Sequence, residues 1–339
     1  MTLSLYKNYI LSALIISILG YILYKSIASR YNFIANPNFR SLHQIPIPTG
    51  AGVIFSSICI ACFFIEYTIG KVDGTLYSIL LIGGVFSVII GFIDDVVGLS
   101  SSKKLLAQLC LSGLSIIFLD GGNILKISFF PTWINAVICW VGLLWLINLY
   151  NFIDGIDGLA AGGGLYFCIS AIALISLSQH IQGEIFFPLA LVGTCLATFL
   201  LFNFPKASLF MGDSGSIFLG FFFGVIVVYT VNLGMISLCT WLILFGYFAG
   251  DTTATTISRI FMVKRWYGAH RSNAYQNFAR ISGSHVRVLS SILLYKIFWL
   301  FPIALGSIFY PDYNFVLLLV AYFPVIFFVY HYGPRFSSS

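Results

Sequence analysis

Six of the chain's 11 acidic residues stand at or just beyond one end of long apolar runs: Asp94, Asp95, Asp154, Asp157, Asp213 and Asp251. A carboxylate at membrane depth costs on the order of 3 kcal/mol unless a cation, a proton or a ligand offsets it. Six of them, from four different runs and on one face, suggest one shared site. The alternative is interfacial solvation and helix capping, which Asp213 could supply by itself just before an apolar run that starts at 214. The pair Asp94-Asp95 is the first local signal. Adjacent carboxylates repel, so they call for a cation, a proton or a phosphate-bearing partner with Mg²⁺. Lys104 opens the next apolar run and can hold a phosphate as a point charge.

In a second stretch, Asn148, Asn151, Asp154 and Asp157 recur every third residue. On a helix that spacing lays four polar side chains along one stripe, which is costly to bury without a ligand. A polar seam bonding to neighbouring helices is the alternative. Gly155 and Gly158 allow close backbone approach or a turn. In a third stretch, Gly212-Asp213-Ser214-Gly215-Ser216 follows a short loop and opens a helix. Free backbone N–H groups there favour an anion or a metal–phosphate pair. A fourth stretch, the long loop from Arg259 to Arg287, carries Trp266, Tyr267, His270 and Arg271. By composition it reads first as a basic segment drawn to lipid headgroups. Its cations and aromatics also suit a pyrophosphate and a stacking ring.

These residues must be positioned by membrane helices. The 339 residues are 59% hydrophobic and only 8% charged, about a third of what a soluble domain carries. That excludes an ordinary cytosolic enzyme, a disordered chain and a broad basic face for nucleic acid. Apolar runs of about 20 residues predict an all-α polytopic membrane protein with eleven spans. They are 8–27, 51–69, 75–93, 104–120, 132–150, 159–178, 185–204, 214–232, 235–257, 288–309 and 314–331, in a single domain over 1–339 with a substrate loop at 258–287. Thirteen of the 17 Lys and Arg fall in connections on one side, and only Lys296 lies inside a run. The positive-inside rule makes that side cytoplasmic, with the N-terminus outside and the C-terminus inside. All seven cysteines lie in apolar runs. The Cys59/Cys62 spacing therefore reads as packing rather than metal binding.

The four motifs, in this order, resemble those of the polyprenyl-phosphate N-acetylhexosamine-1-phosphate transferase superfamily, glycosyltransferase family 4. The first cytoplasmic loop, Asn36 to Gly50, is similar as well, although Thr49-Gly50-Ala51-Gly52 stands where relatives often have Arg and consecutive glycines. With Ala269-His270-Arg271-Ser272 in the long loop, the chain looks like the WecA/WbpL-type branch, which starts O-antigen and related lipopolysaccharide glycans. The phospho-MurNAc-pentapeptide branch typically carries a histidine triplet there.

The resemblance implies attack by a lipid phosphate, undecaprenyl phosphate, on a UDP-N-acetylhexosamine, releasing UMP. It implies Mg²⁺, with Mn²⁺ as a substitute, held by Asp213 with Asn151. Asp94 and Asp95 would position or deprotonate the lipid phosphate, and Lys104, His270 and Arg271 would bind phosphates. Asp154 and Asp157 would be nucleotide-side or structural groups, with Asn148 behind them. It further implies a bacterial inner-membrane location with the site facing the cytoplasm, membrane lipid but no nucleic acid as a partner, and a homodimer. Asp251 matches no motif; a bond to Arg259 or solvent is expected for it, with lining of the site entrance as the alternative. A secondary transporter is the rival from another class. It would place its substrate groups near the midplane in repeated halves, whereas these acids sit at one face. The CDP-alcohol phosphotransferase pattern fails at Gly162, where an Arg is required.

Overall fold

The computed structural model describes residues 6–30, 33–37, 45–69, 74–119, 131–178, 181, 183–262 and 272–334. Helices occupy each of the eleven apolar runs. They are α1 (Lys7–Arg30), α2 (Gly52–Ile69), α3 (Gly74–Val97), α4 (Ser101–Phe118), α5 (Thr132–Ile153), α6 (Leu159–Ser176), α7 (Phe186–Asn203), α8 (Gly212–Asn232), α9 (Leu238–Leu244), α10 (Gly246–Met262), α12 (His285–Tyr295), α13 (Phe301–Phe309) and α14 (Asn314–Tyr332). A short helix outside those runs, α11 (Ala274–Ser282), precedes α12. The only sheet among the described residues is a two-residue antiparallel pair, β1 (Ile34–Ala35) with β2 (Ile47–Pro48).

Among the described residues, nine helical stretches are long and apolar enough to cross a bilayer. Two of the eleven expected spans fall short of that. The run at 104–120 is α4, which starts at Ser101 and so takes Lys103, Lys104 and Gln108 into its first turns. The run at 235–257 is interrupted at Phe245, giving α9 and α10. The run at 288–309 is continuous, from α12 through a π-helical turn at Lys296–Leu300 into α13. The chain is an all-α, multi-pass membrane protein.

The nearly wholly buried α8 is the axis of the bundle, and it packs most extensively on α3 and α5. Small residues permit this, as expected where helices associate by close packing in lipid. Gly91 of α3 lies directly on the Asp213–Ser214 backbone, and a Cβ on Gly220 would meet the Ile147 backbone of α5. Phenylalanines from α8 fill the spaces beyond. Phe223 stacks on Tyr150 with centroids 5.2 Å apart, and Phe222 meets Phe63 of α2. The consequence for function is geometric. Packing Gly91 on the first turn of α8 sets the end of α3, which carries Asp94 and Asp95, against Asp213.

Candidate active site

Three helix ends meet at one amine. Lys104, in the first turn of α4, lies with Nζ 2.8 Å from Asp94 Oδ2, pairs with Asp213 Oδ2 and donates to Asn151 Oδ1 at 3.3 Å. Asn151 Nδ2 in turn donates to Asp213 Oδ1 at 2.5 Å and to Ser216 Oγ at 3.0 Å. Asp94, Lys104, Asn151 and Asp213, expected together from their motifs, are therefore joined through the Lys104 amine. Asp94 Oδ1 is occupied by the Leu99 N–H at 2.6 Å, which fixes its carboxylate plane.

Asp95 does something different from its neighbour. Its two oxygens accept from the backbone N–H groups of Asp213 (2.8 Å) and Ser214 (3.0 Å). It thus caps α8 from another helix, a role that Met211 at the cap position does not perform. The N–H groups expected to be free for an anion are taken by this internal one. Nor does Asp213 cap its own helix: its carboxylate points to Lys104 and Asn151. Gly212 has φ +71°, and a Cβ there would stand 2.7 Å from Asp95 Oδ1, so glycine is required for the contact. The segment before α2 is zipped to the same loop. Phe210 N donates to Pro48 O, Ala51 N to Phe210 O and Gly52 N to Met211 O, at 2.8–3.0 Å.

The four-residue polar stripe does not form, because the helix stops before half of it. α5 ends at Ile153 and Asp154 is its C-cap residue; the turn that follows contains Gly155 and Gly158, the latter at φ +78°. Asn148 turns back to Leu144 O at 2.9 Å. Asp157 faces the other way: its Oδ2 accepts from Ala207 N at 3.1 Å and lies 3.2 Å from His285 Nδ1 at the start of α12. Asp154 is left between these groups. Burial, together with the charges of Asp213, Asp95 and Asp157, pushes its pKa up to about 8. His270 and Arg271 lie outside the described residues.

Two residues beyond the expected set hold this arrangement. Buried Asn203 accepts from Gly158 N at 2.8 Å and donates to Leu209 O at 2.9 Å, tying the loop before α8 to the turn after α5. Its only sequence signal was an Asn at the end of an apolar run. The other is Asp251, expected to bond Arg259 or solvent. It is buried instead, and accepts from Ala274 N (2.8 Å) and Tyr275 N (3.1 Å).

Among the described residues no three His, Cys, Asp or Glu side chains gather as a metal shell of their own. Asp94, Asn151 and Asp213 nonetheless form a hard, all-oxygen donor set already paired with a cation. That set fits an ion such as Mg²⁺, which takes one or two carboxylates and completes its coordination with water and phosphate oxygens.

Comparison with known sequences matches residues 77–231 to Glycosyl transferase family 4. A probable undecaprenyl-phosphate N-acetylglucosaminyl 1-phosphate transferase of Bacillus subtilis is 27% identical over 297 residues, 83% of this chain and 78% of that protein. A decaprenyl-phosphate N-acetylglucosaminephosphotransferase of Mycobacterium leprae is 31% identical over 217 residues, 57% of this chain and 53% of that protein. A phospho-N-acetylmuramoyl-pentapeptide-transferase of Listeria innocua is 32% identical over 236 residues, 64% of this chain and 69% of that protein. The chain belongs to glycosyl transferase family 4. Its family-matched stretch contains Asp94, Asp95, Lys104, Asn148, Asn151, Asp154, Asp157 and Asp213, while Asp251, His270 and Arg271 lie beyond it. The chain spans about half the length of the mycobacterial relatives. Family 4 relatives of both kinds align with it, so membership is common to the N-acetylglucosamine and the muramoyl-pentapeptide branches.

Proposed function

We propose that this family 4 protein transfers an N-acetylhexosamine-1-phosphate from a UDP-sugar to undecaprenyl phosphate. UMP leaves, and the lipid-linked pyrophosphate sugar starts an O-antigen or related envelope glycan. The observation that carries the reading is the single lysine bridging Asp94 and Asp213 beside Asn151, where three helices of a membrane bundle end. Phosphoryl transfer asks a protein chiefly to position its reactants and neutralise charge, and this cluster holds the groups for both tasks.

In this reading Lys104 leaves its carboxylates for a substrate phosphate. Asn151 orients the Asp213 carboxylate through its amide. Asp94 aligns the acceptor phosphate, and Asp95 acts from behind by fixing the first turn of α8. Asp154 holds or releases a proton on the nucleotide side. Mg²⁺, with Mn²⁺ as substitute, would be held by Asp213 with Asn151 and would supply charge neutralisation on phosphate oxygens. The charge asymmetry of the connections supports a cytoplasmic location for this face; a bacterial inner membrane and a homodimer belong to the same reading.

Purified protein with Mg²⁺, undecaprenyl phosphate and a panel of UDP-sugars tests the reading. UMP release with a UDP-N-acetylhexosamine supports it, and Asp213→Asn abolishes that release. Release only with UDP-MurNAc-pentapeptide would move the protein to the peptidoglycan branch. No release with any donor would sink the function.

A further inference from the structure

The cap on α11 connects two parts of the site that the sequence keeps apart. Asn273 occupies the cap position of α11 but makes no side-chain capping bond. The carboxylate of Asp251, 1% exposed on α10, does so from 23 residues away. Oδ1 takes the N–H of Ala274 at 2.8 Å and the hydroxyl of Thr255 at 3.3 Å, and Oδ2 takes the N–H of Tyr275 at 3.1 Å. The side chain of Tyr275 continues the line. Its hydroxyl donates to Phe152 O at 2.8 Å, beside Asn151 at the end of α5. Gly155 leaves the room, since a Cβ there would collide with the Tyr275 hydroxyl and stand 2.9 Å from Gln276 Nε2. A buried carboxylate, two backbone amides and a tyrosine therefore join α10, α11 and α5. The chain enters α11 three residues after Arg271.

We infer that Asp251 is a positioning residue for the sugar-nucleotide donor: through Tyr275 it fixes the start of α11 against the end of α5 and the turn that carries Asp154, the carboxylate on the nucleotide side. This rests on the transferase reading above. Asp251 touches neither substrate nor the Lys104 cluster. Its influence runs through Tyr275, so donor binding should feel its loss while acceptor binding should not.

Two variants and two readouts test this. Asp251→Asn turns one capping acceptor into a donor facing an N–H group. Tyr275→Phe removes one hydroxyl and leaves the packing intact. Both should raise KM for the UDP-sugar about tenfold, with KM for undecaprenyl phosphate and kcat within about twofold. The double variant should be little worse than the worse single one, because both cut the same line. Equal changes in both KM values, or a fall in kcat alone, would overturn the inference. Hydrogen–deuterium exchange supplies a readout independent of turnover. Asp251→Asn and Tyr275→Phe should both speed exchange in 272–282, with the remaining helices unchanged. Unaltered exchange there overturns the inference even if the wild-type protein releases no UMP. The absence of UMP release from the wild type counts against the transferase reading only.

Discussion

Replacing Lys104 by Met separates two tasks that the site combines. In the ligand-free protein the Lys104 amine is the cation between Asp94 and Asp213. At 2.8 Å and an effective dielectric near 20, its contact with Asp94 represents about 6 kcal/mol of raw Coulomb energy. The side chains involved are only 11–27% exposed, so desolvation cancels most of that. A net value of about 1.5–3 kcal/mol, typical of a hydrogen bond to a charged group, remains. A divalent ion that settles on Asp213 must displace the lysine and give up that amount. Lys104→Met removes the competitor and leaves two carboxylates uncompensated, so ligand-free protein should bind Mn²⁺ about ten- to a hundredfold more tightly.

Turnover should move the other way. A substrate phosphate loses its point charge, and UMP release should fall by about a hundredfold or more. The assay is Mn²⁺ binding to detergent-purified protein, read by electron paramagnetic resonance without nucleotide, alongside UMP release. Mn²⁺ affinity that is unchanged or weaker in Lys104→Met would refute the argument, because the lysine would then be supporting the metal site and not occupying it.

Three further outcomes follow from the geometry. Asp154 titrates at about 8 when folded against 3.8 unfolded, so the folded state keeps a proton that the unfolded state has lost. Stability of the ligand-free protein should therefore fall as pH rises from about 4 to about 8, and Asp154→Asn should flatten thermal-shift midpoints over that range. Lys296 is buried among rings, with Nζ 3.3 Å from the Phe248 centroid and no hydrogen-bond partner among the described residues. A lysine at a span's centre costs about 3 kcal/mol and the ring returns about 2, so Lys296→Met should raise stability by about 1 kcal/mol, read as a higher Tm. His285→Ala breaks the contact to Asp157 and leaves the Ala207 N–H bonded. It should change kcat less than about threefold, whereas Asp157→Asn, which also weakens the bond holding the loop before α8, should cost more in the same UMP assay.

Much of this was legible because the bilayer is a strict solvent. It demands helices of a given length, and it makes every acid at its edge conspicuous. The grouping of Asp94, Lys104, Asn151 and Asp213 could therefore be read from motifs and side alone. What could not be read were contacts decided by rotation and by partners far along the chain. Asp94 and Asp95 are adjacent, yet a helix turns about 100° per residue, so one meets Lys104 and the other meets α8. The every-third spacing through Asp157 suggested one stripe. Gly155 and Gly158 instead end the helix, and Asp157 takes partners from α12 and the loop at 207. Asp251 had no local signal, since the amides it serves come 23 residues later.

That division of labour changes how the acids of this face are to be understood. A chain with 8% charged residues has few carboxylates to spend at the membrane edge, and two of the six here serve as helix-capping joints. Asp95 binds the start of α8 to α3, and Asp251 binds the start of α11 to α10. Each is tolerable in a poorly solvating environment because backbone N–H groups that would otherwise lack partners satisfy it. Each joint also holds a chemical group in place: the first sets Asp213 against Lys104, and the second sets the end of the long loop against α5. Loss of activity on replacing an acid at this face therefore does not by itself identify a ligand. Metal affinity and the two KM values must be measured separately, because a failed joint and a missing ligand both stop turnover but disturb different equilibria.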